Sequence, residues 1–327
     1  MTQGKRYAVL VLAVLVMGAV RLPFERALNA DLRDAGLMPP ELEVKTSDRI
    51  GQTFSAVSLG GLRTLVATFL NLRAFSFFTE QRWADVADTF DTIVDLAPRT
   101  RYYWDTGSWH QSYNAASYYL YESKLPGLRR KLGWRESILK GRDFLERGIR
   151  NNPEDPILRE RLGFLLSDSN KIAAFGDVNK AYEASYDAYM SAVGIGNSRW
   201  LAKRFALYSL ARVPGREREA LAMAKEVRAE QGRDTPTMLG LLYTLGYHED
   251  PSQSVDKLID SVFPSREVAY EVLGGLWMRT RDRYPVYGLA RGIALLEAEL
   301  KVPAERSVLK QELPRPMIPE DYFSPKK

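Results

Sequence analysis

Residues able to do chemistry are scarce in this chain. It has no cysteine and only two histidines among 327 residues. That removes thiolate nucleophiles, cysteine-ligated zinc, iron–sulfur clusters and disulfides, and leaves little for general-base or metal chemistry. His110 stands next to Trp109, and its neighbours in sequence are amide and aromatic rather than acidic. His248 lies in YHEDPSQ with Glu249 and Asp250, but adjacent residues rarely converge on one ion, and Asp250 before Pro251 reads as a helix-start residue. No pair of carboxylates stands out as an acid and its base. The expectation is a protein without catalytic residues, metal or cofactor, one that binds rather than reacts.

Binding chemistry is better represented. Residues 102–121 hold six of the seventeen tyrosines and two of the six tryptophans. At 100° per residue, a helix there puts Tyr102, Trp109, Tyr113, Ala116 and Leu120 on one stripe, a core face. A second stripe carries Tyr103, His110, Asn114 and Tyr121, with Tyr118 at its border. Rings supply contact area at low entropic cost and an asparagine can hold a backbone amide. Tyr103, His110, Asn114, Tyr118 and Tyr121 are therefore a candidate groove for a peptide or a glycan; the same rings also suit packing against the next helical hairpin. A basic segment follows, with Lys124, Arg129, Arg130, Lys131 and Arg135 beside Leu128, Leu132 and Trp134. As a lipid-contact surface it suits anionic head groups, and as an insertion it suits a solvated loop.

These side chains need elements to hold them. Residues 7–20, YAVLVLAVLVMGAV, carry no charge and are flanked by Lys5, Arg6 and Arg21. If Arg21 snorkels, the apolar stretch reaches about eighteen positions, enough to span a bilayer. Signal-peptide cleavage wants small residues one and three positions before the cut, and Met17 or Leu28 stands in the way. An uncleaved, single-pass signal anchor over 1–24 is the reading preferred to a cleaved peptide, with the remainder on the extracytoplasmic (periplasmic) side of the membrane. Residues 25–50 make a juxtamembrane helix and linker, 51–303 a helical domain, and 304–327 a proline-rich tail. The apolar stretch 54–78 holds Arg63, Asn71 and Arg73, which argues against a second span and for a buried first helix.

From 51 to 303 the apolar period is helical nearly throughout, so the fold class is all-α. Helices are predicted over 53–79, 82–96, 101–121, 134–151, 156–170, 177–192, 197–211, 216–231, 236–246, 252–261, 265–280 and 283–301. Two of them end in a proline turn, DLAPRT (95–100) and NNPEDP (151–156). Before Pro98 lie Val86, Phe90 and Ile93, and before Pro153 lie Gly141, Leu145 and Gly148. In these residues the chain resembles the tetratricopeptide repeat (TPR) family. Trp104 falls where that family's first-helix tryptophan sits, Leu162-Gly163 on its Leu-Gly pair, and Leu239-Gly240 with Tyr243 on the same spacing again. Pro98 and Pro153 are 55 positions apart, longer than one repeat of about 34 residues. The surplus is assigned to 123–134.

The resemblance implies an α-solenoid of stacked hairpins with a ligand-binding face and no catalysis. The functional expectation is a membrane-anchored scaffold or adaptor that holds another protein of a cell-envelope assembly. The alternatives are an all-α envelope enzyme or binding protein acting on glycan or peptide, and a structural protein resting on lipid. A net charge of +5, from 46 basic and 41 acidic residues, is too small and too dispersed to suggest a nucleic-acid partner.

Overall fold

The computed structural model describes residues 63–281 and 283–312, with six isolated helical positions at 13, 16, 17, 20, 23 and 27. Apart from those six, the expected anchor (1–24) and linker (25–50) lie outside the described residues, as does the tail from 313 on. The described residues contain twelve α-helices and no strand: α1 Arg63–Thr79, α2 Trp83–Leu96, α3 Arg101–Trp109, α4 Gly127–Asn151, α5 Pro156–Ser167, α6 Val178–Ile195, α7 Leu201–Leu210, α8 Glu217–Gln231, α9 Pro236–Glu249, α10 Val255–Val262, α11 Arg266–Arg279 and α12 Leu289–Glu299. None of the described helices is long and apolar enough to cross a membrane.

Their boundaries follow local chemistry. Asp155 precedes Pro156 and accepts the Ile157 amide at 2.8 Å, starting α5. Asp177 accepts the amides of Asn179 and Lys180 to start α6. Thr235 does the same for Met238 ahead of Pro236 at the head of α9. Each caps amides that the first turn leaves without an intrahelical partner. Asp250 departs from its expected role. It closes α9 instead of opening a helix, and its carboxylate accepts from the Ser252 amide and hydroxyl, which holds it below the usual carboxylate range.

The chain divides into two compact units, residues 1–115 with 143–153, and residues 116–142 with 154–327. In the first unit α1 packs on α2 and α2 on α3. Its core holds Val86, Phe90, Ile93, Trp104, Phe144 and Leu145. Gly148 lets α4 close on α3, since a Cβ there would lie 2.9 Å from the Trp104 side chain. Arg147 joins the same elements by pairing with Asp91 at 2.6 Å, Asp143 at 3.5 Å and Asp95 at 3.9 Å. The expectation that the first helix is buried fails in this unit. Only Ala67 and Ala74 of α1 are buried, while Leu65, Phe69, Leu72 and Phe75 are 52–66% exposed. A helix that is apolar on every side buries one face against α2 and leaves an apolar face outside.

In the second unit α5, α6 and α7 pack in succession, as do α8 with α9 and α11 with α12. Leu207, Leu210, Met238, Tyr243, Leu273 and Ile293 are fully buried members of its core. Gly163 is the point of closest approach between α5 and α6: an added Cβ would sit 2.7 Å from the Tyr189 ring. The segment 123–134 is not an extra loop. α4 starts at Gly127, so the basic residues ride on its first turns. Residues 304–312, expected to belong to the tail, form two short 3₁₀ turns, Ala304–Arg306 and Val308–Lys310. Glu297 of α12 holds them, accepting the Ser307 hydroxyl at 2.8 Å and the Val308 amide at 3.0 Å.

Candidate binding surfaces

After α3 the helix widens into two π-helical stretches, His110–Ala115 and Tyr118–Glu122. A π turn closes i→i+5 bonds and advances each side chain by less than 100°, so a stripe drawn at α-helical spacing does not survive it. The two expected stripes are mixed accordingly. Tyr102 and Trp109 of the expected core face are 56% and 47% exposed, while Ala116 and Leu120 are buried. Of the expected groove residues, Tyr103 is buried, His110, Asn114 and Tyr118 are half-buried, and Tyr121 is 55% exposed. The first unit holds Tyr103, His110 and Asn114; the second holds Tyr118 and Tyr121.

His110 lies between the rings of Phe78 at 5.0 Å and Phe90 at 5.5 Å, and Asn114 Nδ2 donates to its Nδ1 at 3.1 Å. Burial disfavours the imidazolium and pulls the His110 pKa below its usual value. Wedged between two phenylalanines, with Nδ1 accepting from a neighbouring amide, this histidine is a packing element. It resembles neither a metal ligand nor an exposed general base. No group of three His, Asp or Glu side chains able to hold a metal ion occurs among the described residues.

The basic segment is placed differently. Lys124, Arg129, Lys131 and Arg135 are exposed at the head of α4, and Arg130 is half-buried, with Nη1 toward the Leu120 carbonyl at 3.4 Å. Arg135 Nε donates to the Ala174 carbonyl at 3.0 Å. Trp134, expected at a lipid interface, is only 6% exposed. Leucines take the outer position instead: Leu125, Leu128 and Leu132 are 42%, 70% and 46% exposed.

A third surface was not anticipated. Trp200, Arg204, Tyr208 and Arg212 recur every four residues through α7 and the turns at its ends. The guanidinium of Arg204 lies 5.4 Å from the Trp200 ring, and that of Arg233 lies 5.4 Å from the same ring. Arg212 sits between Tyr182 at 4.9 Å and Tyr284 at 4.2 Å. Tyr208 shares a 2.9 Å hydrogen bond with Thr235, and its ring meets Tyr284 edge-on at 6.4 Å. Burial raises the Tyr208 pKa, with Thr235 and the Arg204 charge opposing that rise. Arg204 is 3% exposed; its Nη2 donates to the Arg233 carbonyl at 3.1 Å, and its Nε has no hydrogen-bond partner. Among the described residues no carboxylate pairs with it; Glu226 and Glu230 pair with Lys203, Asp234 with Arg228 and Glu160 with Arg199. The spacing of four was the available signal, but positive residues at helical spacing read as a solvated face.

A cleft of about 490 Å³ opens between α8, α9 and α10, lined by Leu221, Lys225, Arg228, Leu242, Glu249 and Asp250. Arg228 is paired with Asp234 and Asp250 with Ser252, so its charges are largely answered from within. Comparison with known proteins adds no precedent: no family model, curated protein or solved structure matches the chain.

Proposed function

We propose that the protein is a membrane-anchored, TPR-like α-solenoid scaffold that holds another protein of a cell-envelope assembly, its helical region on the extracytoplasmic side. The observation that supports this best is the exposed apolar row of α1. Leu65, Phe69, Leu72 and Phe75 stand one turn apart on a helix whose other face is packed on α2. Covering each such side chain contributes about 1.5–3 kcal/mol, and a row of this kind on a folded surface marks an interaction site. The succession of hairpins α5–α6–α7 and the close approach at Gly163, on the Leu-Gly pair that resembles the repeat family, support the solenoid part of the reading.

Purification of the full chain in mild detergent, followed by mass spectrometry, tests it. The reading expects a stoichiometric partner that Phe69→Ser with Phe75→Ser releases. A wild-type protein that purifies alone as a monomer would contradict it.

One observation favours a lipid role as a second reading: exposed Leu125, Leu128 and Leu132 share the head of α4 with exposed Lys124, Arg129, Lys131 and Arg135. Such a helix start suits an anionic membrane surface, each basic residue contributing about 1 kcal/mol. Flotation of a fragment lacking residues 1–24 with phosphatidylglycerol vesicles checks it; binding unchanged by charge reversal at Arg129 and Lys131 would remove it.

A further inference from the structure

We infer that the Trp200–Arg204–Tyr208–Arg212 face of α7, with Arg233 and Gln231, is a recognition strip for an acidic peptide segment. The strip has two unmet needs of opposite kind. Among the described residues, Arg204 Nε, an N–H donor, is buried without an acceptor, and Gln231 Oε1, an acceptor, is buried without a donor. Both groups adjoin one residue: Gln231 Nε2 donates to the Trp200 carbonyl at 3.0 Å, and Arg204 stacks on the Trp200 ring. A third unmet donor, Arg212 Nε, lies two turns along the same face between Tyr182 and Tyr284.

A guanidinium almost removed from water costs several kcal/mol unless an anion or a full set of acceptors answers it. Of the three only Arg204 is buried, and it has one backbone carbonyl and a ring; Arg212, half-buried, has two rings and a hydrogen bond with Tyr284, and Arg233, exposed, has a ring. No carboxylate among the described residues pairs with any of the three; Glu226 and Glu230 pair with Lys203, Asp234 with Arg228 and Glu160 with Arg199. The missing component is therefore anionic, and it also has to donate a hydrogen bond. A peptide bearing Asp or Glu supplies both, a planar carboxylate for the arginine forks and a backbone N–H for the glutamine oxygen. Inorganic phosphate at neutral pH offers acceptors and an O–H, but one compact ion cannot reach both Arg204 and Arg212. Arg204 and Arg212 are eight residues apart, roughly 12 Å along a helix, which suits carboxylates a few residues apart in an extended chain. Trp200, 53% exposed at the end of the irregular segment 196–200, is the strip's accessible ring.

This strip deepens the scaffold reading by naming the chemistry of the partner, and it rests on that reading. The test uses the full chain in detergent and fluorescein-labelled deca-glutamate, followed by fluorescence anisotropy at low ionic strength. Wild type is expected to bind, with Arg233→Gln and Arg204→Lys each weakening binding about tenfold, since charge without the planar fork is not equivalent. Lys257→Gln with Lys301→Gln, exposed and outside the strip, should change it by less than about twofold. Equal loss from those two substitutions, or no loss from Arg233→Gln and Arg204→Lys, would overturn the proposal. So would displacement of the peptide by inorganic phosphate at a concentration where sodium chloride of equal ionic strength has no effect. If Arg204→Lys fails to give the wild-type circular-dichroism melting curve, Arg212→Gln and Arg233→Gln carry the test, being at less buried positions. A copurifying partner that Arg233→Gln and Arg204→Lys leave in place rejects the strip and spares the scaffold. Absence of any partner rejects the scaffold, and deca-glutamate binding then judges the strip separately.

Discussion

Two arginines in this molecule stack on tryptophan at the same distance and live in opposite electrostatic circumstances. Arg147 in the first unit lies 5.4 Å from the Trp104 ring, and Arg204 in the second lies 5.4 Å from Trp200. Arg147 is surrounded by Asp91, Asp143 and Asp95; although burial pulls its pKa down, the bond to Asp91 and the nearby carboxylates prevail and raise it. Arg204 is more deeply buried and pairs with no carboxylate among the described residues. The tryptophans differ too, Trp104 being 2% and Trp200 53% exposed. The stacked pair is the same motif in both, so the ring contact cannot distinguish structure from binding. The counter-ion and the depth of the ring can.

The largest effect that would break or sharpen this contrast is on the rings. Trp104→Ala opens a cavity in a packed core and should cost about 3–5 kcal/mol, whereas Trp200→Ala should cost about 1 kcal/mol or less. Urea unfolding measures both, and an equal cost would mean that Trp200 is a structural residue after all. Next in size is the loss of the paired arginine. Arg147→Met takes the Arg147 guanidinium away from Asp91 and Asp95, both 15% exposed in their side chains. That should destabilise by about 1–3 kcal/mol, less than for a fully dry pair because Arg147 is 24% exposed. The same measurement reads it, and a neutral result would remove the ion-paired half of the comparison.

The smallest effect concerns His110, the ring of the first unit that meets other rings without an anion. Its folded-state pKa is lowered by burial, so its contribution to stability is complete above the unfolded value near about 6.5. As the pH falls from there through the lowered folded-state value, the unfolded chain takes the proton first and that contribution is lost. His110→Gln should flatten this acid limb of the stability profile while leaving the neutral region little changed. An acid limb as steep as that of wild type would show that another group sets it.

Much of the fold was legible because its signals are local. Proline turns at 98 and 153 and the apolar period from α2 to α12 depend on neighbours in sequence, and most of the helices stand close to where these place them. The surfaces were less legible because they depend on what packs against what. Nothing in HQSYNA announces a π turn, and in the α-helix before it Tyr102 and Tyr103 take the faces opposite to those expected. Trp134 reads as interfacial beside five basic residues, yet α4 carries it inward and puts Leu128 outside. Arg204 has no local signal in the sequence that marks it as buried; its burial, and its lack of a carboxylate partner among the described residues, come from tertiary packing.

The most direct measurement is the urea-unfolding free energy of Arg204→Met. If Arg204 is an unanswered buried charge kept for a ligand, removing the charge at nearly constant volume should leave the protein as stable as wild type or more stable, by up to a few kcal/mol. A loss of more than about 1 kcal/mol would show that Arg204 serves the fold, as Arg147 does, and would contradict the distinction drawn between them.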